Sequence, residues 1–300
     1  GLVGTAIVRA LKAQGFTNII VKTRKQVDLL DQRQVDIFFQ KEKPEYVFLS
    51  AALVGGIMAN KTRKADFIYD NLLIQNNVIH YSWKYGVKKL LFLGSSCIYP
   101  KLAPQPIKEE YFMTGPLEET NDAYAVAKIA GIKMCQSYNE QYKTNFVSVM
   151  PTNLYGPNDN FDLQSAHVLP AFIRRFYEAK KNNKKDIILW GSGKAYRELL
   201  YVDDMAEACV FLMKNYNSSE IINIGTGKDL KIRELAQLVK KIVGYSGKIV
   251  WDSSKPDGTP KKQLDVTKLF KLGWKPRISL EEGIKKEYEW FLNNFSGKKQ

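Results

Sequence analysis

Hydrophobic positions in the first half of the chain alternate between helical spacing and short, continuous apolar runs. The apolar runs predict strands at 18–22, 46–51, 89–94 and 146–150, and the helical spacing predicts helices at 5–14, 31–41, 66–85 and 123–142. Continuous apolar strands separated by helices are typical of a parallel sheet that is covered on both faces. We therefore predict a doubly wound α/β fold, in which ligands bind at the carboxyl ends of the strands.

The pattern changes after Pro151, where turns rich in Gly and Pro separate the elements. This half predicts helices at 168–180, 203–215, 232–243 and 280–293, with strands at 186–190, 221–224 and 248–251. We expect residues 1–155 to form a nucleotide-binding domain to which 198–228 return. We expect 156–197 and 229–300 to form a smaller α/β substrate domain.

The chain opens with Gly1, Leu2, Val3 and Gly4, directly before the first predicted helix. Two glycines three residues apart at a helix start are half of a dinucleotide-binding fingerprint, where they permit a tight turn and the close approach of a pyrophosphate. That fingerprint normally follows a strand, and no strand precedes Gly1 in this sequence. We expect the natural protein to carry about ten further residues upstream, including the first strand and an earlier glycine.

Composition narrows the class of protein. Of 300 residues, 45% are hydrophobic and 25% are charged, which is typical of a soluble globular protein and excludes a disordered or collagen-like chain. No apolar run approaches the roughly 18–20 residues that a membrane helix needs. Three widely spaced cysteines without a CxxC pair argue against a disulfide framework or a zinc site. They favour the reducing cytoplasm, with no metal.

The formal net charge of +14 favours anionic partners. The lysines are dispersed, however, and the sequence has neither a basic tail nor an RNA-binding signature. A solvated, lysine-rich surface is therefore the first interpretation, and nucleotide-type ligands are the second. We expect neither a nucleic-acid partner nor a membrane partner.

The most informative chemistry follows the apolar strand at 89–94. Ser95 comes directly after this strand, while Tyr124 and Lys128 are four residues apart and lie on one helix face. A nearby ammonium lowers the pKa of a phenol, so that it can exchange a proton with an alkoxide near neutral pH. A Tyr-x-x-x-Lys spacing is common by chance. Together with the serine, the glycines and the sheet pattern it predicts a dehydrogenase site.

Longer segments around these residues resemble the extended short-chain dehydrogenase/reductase family, and within it the GDP-4-keto-6-deoxy-D-mannose 3,5-epimerase-4-reductases. The segments are LGSSCIYP at 93–100, YAVAKIAG at 124–131, MPTNLYGP at 150–157, WGSG at 190–193, VDDM at 202–205 and SKPDGTP at 254–260. The resemblance extends over essentially the whole chain and implies a Rossmann-type fold. The sequence departs from the family in lacking the first strand and in having Leu53 where some relatives have Lys.

This resemblance implies a reaction. The family converts GDP-4-keto-6-deoxy-D-mannose to GDP-L-fucose by epimerising C3 and C5 through an enolate and then reducing C4 with NADPH. Ser95, Tyr124 and Lys128 match its reductive residues, and Cys97 and His167 match its acid–base pair. Spacing alone would leave Cys97 and His167 as ordinary structural residues, and the motif match assigns their role. The residues that we interpret as structural are His80, Cys135 and Cys209.

The expected cofactor is NADP(H). A basic run at 21–25 follows the second predicted strand, where NAD-specific enzymes tend to have an acidic residue, and it suits a 2′-phosphate. Asp28 is expected near the adenosine. The cofactor-binding residues that the resemblance implies are Gly1, Leu2, Val3, Gly4, Arg24, Asp28, Ala51, Tyr124, Lys128, Pro151, Asn153, Leu154 and His167.

Arginine suits phosphate because its guanidinium binds two oxygens at once. We expect Arg175, Arg197 and Lys262 against the diphosphate, with Asn153 and Trp190 around the sugar nucleotide. At the reacting sugar, the resemblance implies Ser95, Ser96 and Cys97 as substrate-binding residues. The family also implies a homodimer, in which the helices at 66–85 and 123–142 pair as a four-helix bundle.

Two other functions remain open. A nucleotide-sugar 4-epimerase or 4,6-dehydratase of the same family would retain NAD tightly, whereas Cys97 and the basic run favour exchangeable NADPH. A cofactor-sensing or RNA-binding protein on the same fold is supported only by the net charge.

Overall fold

The computed structural model describes residues 1–255 and 257–295. Its helices are α1 (Leu2–Ala13), α2 (Gln32–Glu42), α3 (Ile57–Thr62), α4 (Lys64–Lys84), α5 (Asp122–Tyr142), α6 (Val168–Lys181), α7 (Val202–Asn215), α8 (Ile232–Val243), α9 (Thr267–Lys271) and α10 (Leu280–Asn294). Its strands are β1 (Tyr46–Leu49), β2 (Lys89–Leu93), β3 (Phe146–Pro151), β4 (Asn153–Tyr155), β5 (Asp186–Trp190), β6 (Tyr196–Tyr201), β7 (Ile222–Ile224), β8 (Asp229–Lys231) and β9 (Lys248–Asp252). Pro256, in the motif at 254–260, and residues 296–300 of the expected substrate domain lie outside the described residues.

The main sheet contains β1, β2, β3 and β7 in that order, and all of its pairings are parallel. Every residue of β2 is buried, because successive side chains face opposite helical layers. Leu90 and Phe92 pack in the layer that contains α4 and α5, while Leu91 and Leu93 pack in the layer that contains α1 and α7. Helices cover both faces, and the predicted doubly wound fold of the Rossmann type is confirmed.

The prediction of a strand at 18–22 is wrong. This segment has no strand assignment, and no described strand pairs with the outer edge of β1. Val21 is 62% exposed and Tyr46, on that edge, is 53% exposed. A strand is stabilised by backbone hydrogen bonds to a neighbour, and among the described residues this segment has no such neighbour.

The second half of the chain forms two small sheets. Strands β4, β6 and β8 make one, and β5 pairs with β9 in the other. Helices α6, α8 and α10 enclose a separate apolar core that includes Phe176, Leu235 and Phe291. The segment 198–228 is divided. Helix α7 packs in the core beside α1 and β7 joins the main sheet, whereas β6 pairs with β4 and β8 outside that sheet.

A buried carboxyl pair joins the last helix to the loop after β4. Glu287 on α10 has no exposed surface, and its two carboxyl oxygens have no hydrogen-bond partner among the described residues. Burial, together with repulsion by the Asp159 carboxylate, raises the pKa of Glu287. Burial also raises the pKa of Asp159 to about 7. Both groups are therefore held in an environment that disfavours their charged forms.

This pair generates a stability prediction. Because the pKa of Glu287 is raised on folding, its contribution to stability is complete below the unfolded value of 4.5 and is lost as the pH rises through the folded value. Replacing Glu287→Gln removes the titration while preserving shape. We expect the variant to exceed the wild type at pH 8 by roughly 1–3 kcal/mol in the free energy of unfolding. The gain should shrink towards pH 5.

Urea unfolding at the two pH values measures this difference. Glu289→Gln, an exposed position on the same helix, is the matched control and should change stability little at either pH. A Glu287→Gln variant that is no more stable than the wild type at pH 8 would show that the buried carboxyl does not destabilise the fold.

Candidate active site

A cleft of about 2270 Å³ lies at the carboxyl ends of β1, β2 and β3 and extends over the second half of the chain. Every residue that the sequence predicts for the site lines this cleft. These residues are Gly1, Leu2, Val3, Gly4, Arg24, Asp28, Ala51, Ser95, Ser96, Cys97, Tyr124, Lys128, Pro151, Asn153, Leu154, His167, Arg175, Trp190, Arg197 and Lys262. The fold therefore brings the two halves of the predicted site to one cavity.

The predicted reductive residues meet at the end of β2. Ser95 begins the short helical turn Ser96–Ile98, and its hydroxyl accepts a hydrogen bond from the Cys97 amide at 3.2 Å. Tyr124 and Lys128 lie one turn apart near the start of α5. The Lys128 ammonium is buried, donates to the Leu93 carbonyl at 2.8 Å, and lies 5.8 Å from the centre of the Tyr124 ring.

The protonation of these groups differs from the sequence prediction. The pKa of Tyr124 is raised, because burial and the charge of Cys97 outweigh the hydrogen bond with Ser95. Burial lowers the pKa of Lys128 to about 8. Lys128 therefore does not bring the phenol pKa towards neutrality in this structure, and that expectation was wrong. At neutral pH the phenol is protonated and can act as a proton donor.

Cys97 lies in a different electrostatic environment. Its sulfur accepts hydrogen bonds from Nδ2 of Asn121 and from Nζ of Lys262, each at 3.2 Å. Burial by itself raises the pKa of Cys97, but Lys262, Ser95 and Arg197 together outweigh burial and lower it.

The other two cysteines keep their structural interpretation. Cys135 and Cys209 have no exposed surface, and burial raises the pKa of each thiol to about 12. The third expected structural residue, His80, bonds through Nδ1 to the Tyr138 hydroxyl at 2.9 Å.

His167 precedes the first turn of α6 and is exposed to the cleft. The pKa of His167 is lowered, mainly because desolvation disfavours the charged imidazolium and also because the Lys262 charge repels it. Lys262 thus acts electrostatically on both members of the predicted acid–base pair.

The amino end of α1 offers a place for phosphate. Gly1 precedes this helix, no side chain caps its first turn, and a Cβ at Gly1 would meet open space. A Cβ on Gly4 would lie 3.3 Å from the Ser50 hydroxyl, so a larger side chain would crowd the approach of α1 to the segment after β1. Arg24 is 72% exposed and lies 3.5 Å from the Asp28 carboxylate. These residues fit a phosphorylated dinucleotide.

At the other end of the cleft, Trp190 is half exposed, and the guanidinium of Arg175 lies 5.7 Å from the centre of its ring. Arg197 donates to the backbone carbonyls of Tyr196 and Thr259 and so holds the loop that carries Lys262. In the structure, Arg197 hydrogen-bonds to backbone carbonyls and Lys262 hydrogen-bonds to the Cys97 sulfur. The sequence predicts both only at the diphosphate.

Sequence reasoning missed Asn121 and Glu198. Asn121 precedes α5, where a polar residue is expected simply to begin a helix, so its contact with Cys97 gives no sequence signal. Glu198 is fully buried and accepts from the backbone amides of Thr226, Gly227 and Leu264 at 2.6–2.8 Å. It anchors the segment that follows Lys262.

Among residues 1–255 and 257–295, no group of three or more His, Cys, Asp or Glu side chains could hold a metal ion. None of the helices described there is both long enough and apolar enough to cross a membrane.

A parallel sheet with a glycine-led helix, a Ser/Tyr/Lys set and a thiol at one edge defines a dinucleotide-dependent enzyme that acts on a carbonyl. The chain belongs to the NAD dependent epimerase/dehydratase family, whose family model matches residues 1–225. It is 58% identical over 294 residues to GDP-L-fucose synthase 1 of Arabidopsis thaliana, covering 98% of this chain and 91% of the relative.

Solved structures are similar over the same length. A GDP-6-OMe-4-keto-L-xylo-heptose reductase from C. jejuni is 43% identical with a TM-score of 0.93, covering 98% of this chain and 95% of that chain. A GDP-L-fucose synthetase from Naegleria fowleri bound to NADP is 34% identical with a TM-score of 0.92, covering 100% and 92%.

The cysteine environments predict selective labelling. Iodoacetamide at pH 7 should modify Cys97, because its pKa is lowered and it faces the cleft, and should leave Cys135 and Cys209 unmodified. Peptide mass spectrometry of the labelled protein identifies the site. Cys97→Ser serves as the control and should abolish labelling, whereas modification of either buried cysteine under native conditions would contradict these environments.

Proposed function

We propose that this protein converts GDP-4-keto-6-deoxy-D-mannose to GDP-L-fucose with NADPH, epimerising C3 and C5 and then reducing C4. The observation that carries the proposal is the Ser95/Tyr124/Lys128 set beside Cys97 on the wall of a cleft that His167 also lines. A relative of 58% identity that is named GDP-L-fucose synthase supports the substrate class.

The residues along the cleft suit the nucleotide and the sugar of the substrate. Trp190 presents half of its surface for stacking with a base, and Arg175 beside it supplies a guanidinium for the diphosphate. Asn153 is oriented by a 2.8 Å hydrogen bond from its amide to the Glu198 carbonyl. With the nucleotide bound there, the sugar extends towards Ser95 and Cys97.

Epimerisation needs a base and an acid next to the ketone. The carbonyl at C4 acidifies the hydrogens on C3 and C5, so that removal of either proton gives an enolate. Cys97 has a lowered pKa and is suited to accept that proton, while the imidazolium form of His167, which its lowered pKa makes a stronger acid, donates a proton to the carbon from the other side. Because both carbons flank one ketone, one pair of side chains serves both centres.

Reduction uses the neighbouring residues. NADPH, when bound, supplies the hydride for C4. The Tyr124 phenol is protonated at neutral pH and donates its proton to the developing alkoxide, while the Ser95 hydroxyl hydrogen-bonds the same oxygen. Lys128 is anchored on the Leu93 carbonyl, and its ammonium lies 5.8 Å from the centre of the Tyr124 ring, where it helps to hold the phenol in place.

The same proposal extends to assembly. We assign NADPH to the domain formed by residues 1–155 with 198–228, and the sugar nucleotide to the domain formed by 156–197 with 229–300. We place the protein in the cytoplasm, because none of its three cysteines is paired. We also infer a homodimer through α4 and α5. Exposed apolar side chains on these helices support it, namely Tyr69, Val126 and Tyr142.

Different mutations should impair epimerisation and reduction separately. Tyr124→Phe is expected to slow NADPH oxidation by about 10²–10⁴-fold, the usual size of a general-acid effect, while deuterium exchange at C3 and C5 continues. Cys97→Ser should suppress that exchange. NADPH absorbance and NMR of the sugar in D₂O measure the two steps.

Ser137→Ala, at an exposed position on the same helix and outside the cleft, is the control and should leave both rates unchanged. Undiminished exchange in Cys97→Ser would refute the role of this cysteine. Tightly retained NAD(H) in the purified protein, with no consumption of NADPH, would instead support a 4-epimerase or 4,6-dehydratase.

Cofactor selectivity should depend on Arg24. Its exposed guanidinium can reach a 2′-phosphate, so Arg24→Gln should weaken NADPH binding about tenfold and leave NADH binding unchanged. Fluorescence titration with each cofactor measures both affinities. Arg33→Gln, at an exposed position on α2 outside the cleft, is the matched control. Equal losses for NADH and NADPH would show that Arg24 does not recognise the phosphate.

A further inference from the structure

We propose that Lys262, with Asn121, holds Cys97 as a thiolate facing the cleft, which makes Lys262 a positioning residue for epimerisation. The catalytic consequence rests on the proposed function. The thiolate assignment rests on contacts within the protein, and it can be tested without the sugar nucleotide.

Two nitrogen donors converge on one sulfur. Nζ of Lys262 and Nδ2 of Asn121 each lie 3.2 Å from the Cys97 sulfur. A thiolate accepts such hydrogen bonds far more strongly than a thiol does, and one of these donors carries a full positive charge. Asn121 presents its amide nitrogen to the sulfur and leaves its Oδ1 buried without a partner among the described residues. This orientation suits a sulfur that only accepts hydrogen bonds.

The position of Lys262 is built by the residues around it. The Gln263 amide donates to the Gln105 side chain at 2.9 Å, and the Leu264 amide donates to the buried Glu198 carboxylate at 2.7 Å. The Gln263 side chain also donates to the Gly227 carbonyl at 2.7 Å. The backbone after Lys262 is therefore held at two consecutive residues, and the ammonium is directed at the sulfur from an anchored loop.

The charge of Lys262 is not neutralised by a carboxylate in the described part of the chain. Glu118 pairs with Lys101 at 3.2 Å, and Asp257 accepts two hydrogen bonds from Ser192. The charged and titratable groups that interact with Cys97 are Lys262, Arg197 and Tyr124. Glu118, Lys101 and Lys261 line a small pocket with Cys97, Asp257 acts on Arg197, and His167 lines the same cleft. Of these, Lys262 and Arg197 account for the lowered pKa of Cys97, aided by Ser95.

The proton transfer then balances without any added reagent. The thiolate forms an S–H bond as the C–H bond beside the ketone breaks, and the electron pair moves to the ketone oxygen. The enolate carbon next takes a proton from the imidazolium form of His167, which becomes neutral imidazole, and the carbonyl reforms. Before the second centre reacts, the proton on sulfur passes to this imidazole, directly or through water, which restores the thiolate and the imidazolium. No group is oxidised or reduced in these steps.

The rate of iodoacetamide alkylation against pH, measured on the full chain without substrate, tests the thiolate assignment. Lys262→Gln should raise the midpoint of Cys97 alkylation by about one pH unit or more, and Lys262→Arg should stay near the wild type. Arg175→Gln removes a cation from the same cleft away from the sulfur, so it should leave the midpoint unchanged. Asn121→Ala should raise the midpoint by a smaller amount and provides a second variant if Lys262→Gln fails to fold.

Substrate turnover gives the second readout. The pH profile for deuterium exchange at C3 and C5 should shift in Lys262→Gln by the same amount as the alkylation profile. An unchanged alkylation midpoint, with only a higher KM for the sugar nucleotide, would overturn the proposal and make Lys262 a diphosphate ligand. A shifted midpoint in a protein that does not turn over this sugar nucleotide would refute the proposed function and uphold the thiolate.

Discussion

The complete burial of β2 between two parallel neighbours is the constraint on which the site depends. Its side chains alternate between two helical layers, so the strand cannot slip by one residue without turning both sets of apolar side chains to the wrong face. Ser95 and Cys97 follow this strand directly and inherit its fixed position. Lys128 is tied to the same strand through the Leu93 carbonyl, so that α5 and β2 present their chemistry in one register.

Burial has opposite consequences for the two reactive groups at this edge. Among the residues that the structure describes, no cation hydrogen-bonds to the Tyr124 phenol, and desolvation keeps it protonated. Burial also raises the pKa of Cys97, but Lys262, 3.2 Å from its sulfur, reverses the sign of the shift together with Ser95 and Arg197. One wall of the cleft thus offers a proton donor and a proton acceptor side by side. An enzyme that removes a proton next to a carbonyl and later protonates the reduced oxygen needs both.

The sequence predicted the long elements well, since amphipathic helices and continuous apolar strands carry a strong periodic signal. It missed β4, β6 and β8 and the helices α3 and α9, whose three to six residues are too few to show a period. The strand at 18–22 was predicted from its own residues, although a strand needs a neighbour that local pattern does not supply. Lys262 and Asn121 were not recognised as partners of Cys97, because 165 and 24 residues separate them from it along the chain.

By itself the sequence determined the class of fold and predicted which side chains carry the chemistry, because motifs and hydrophobic periodicity are local properties of the chain. It also placed Ser95 and Cys97 just after a predicted strand and Gly1 at the start of a helix, which is where a doubly wound fold places its ligands. Only the tertiary structure decided their protonation. A pKa depends on burial and on charges within a few ångströms, and those neighbours come from distant segments that only folding brings together.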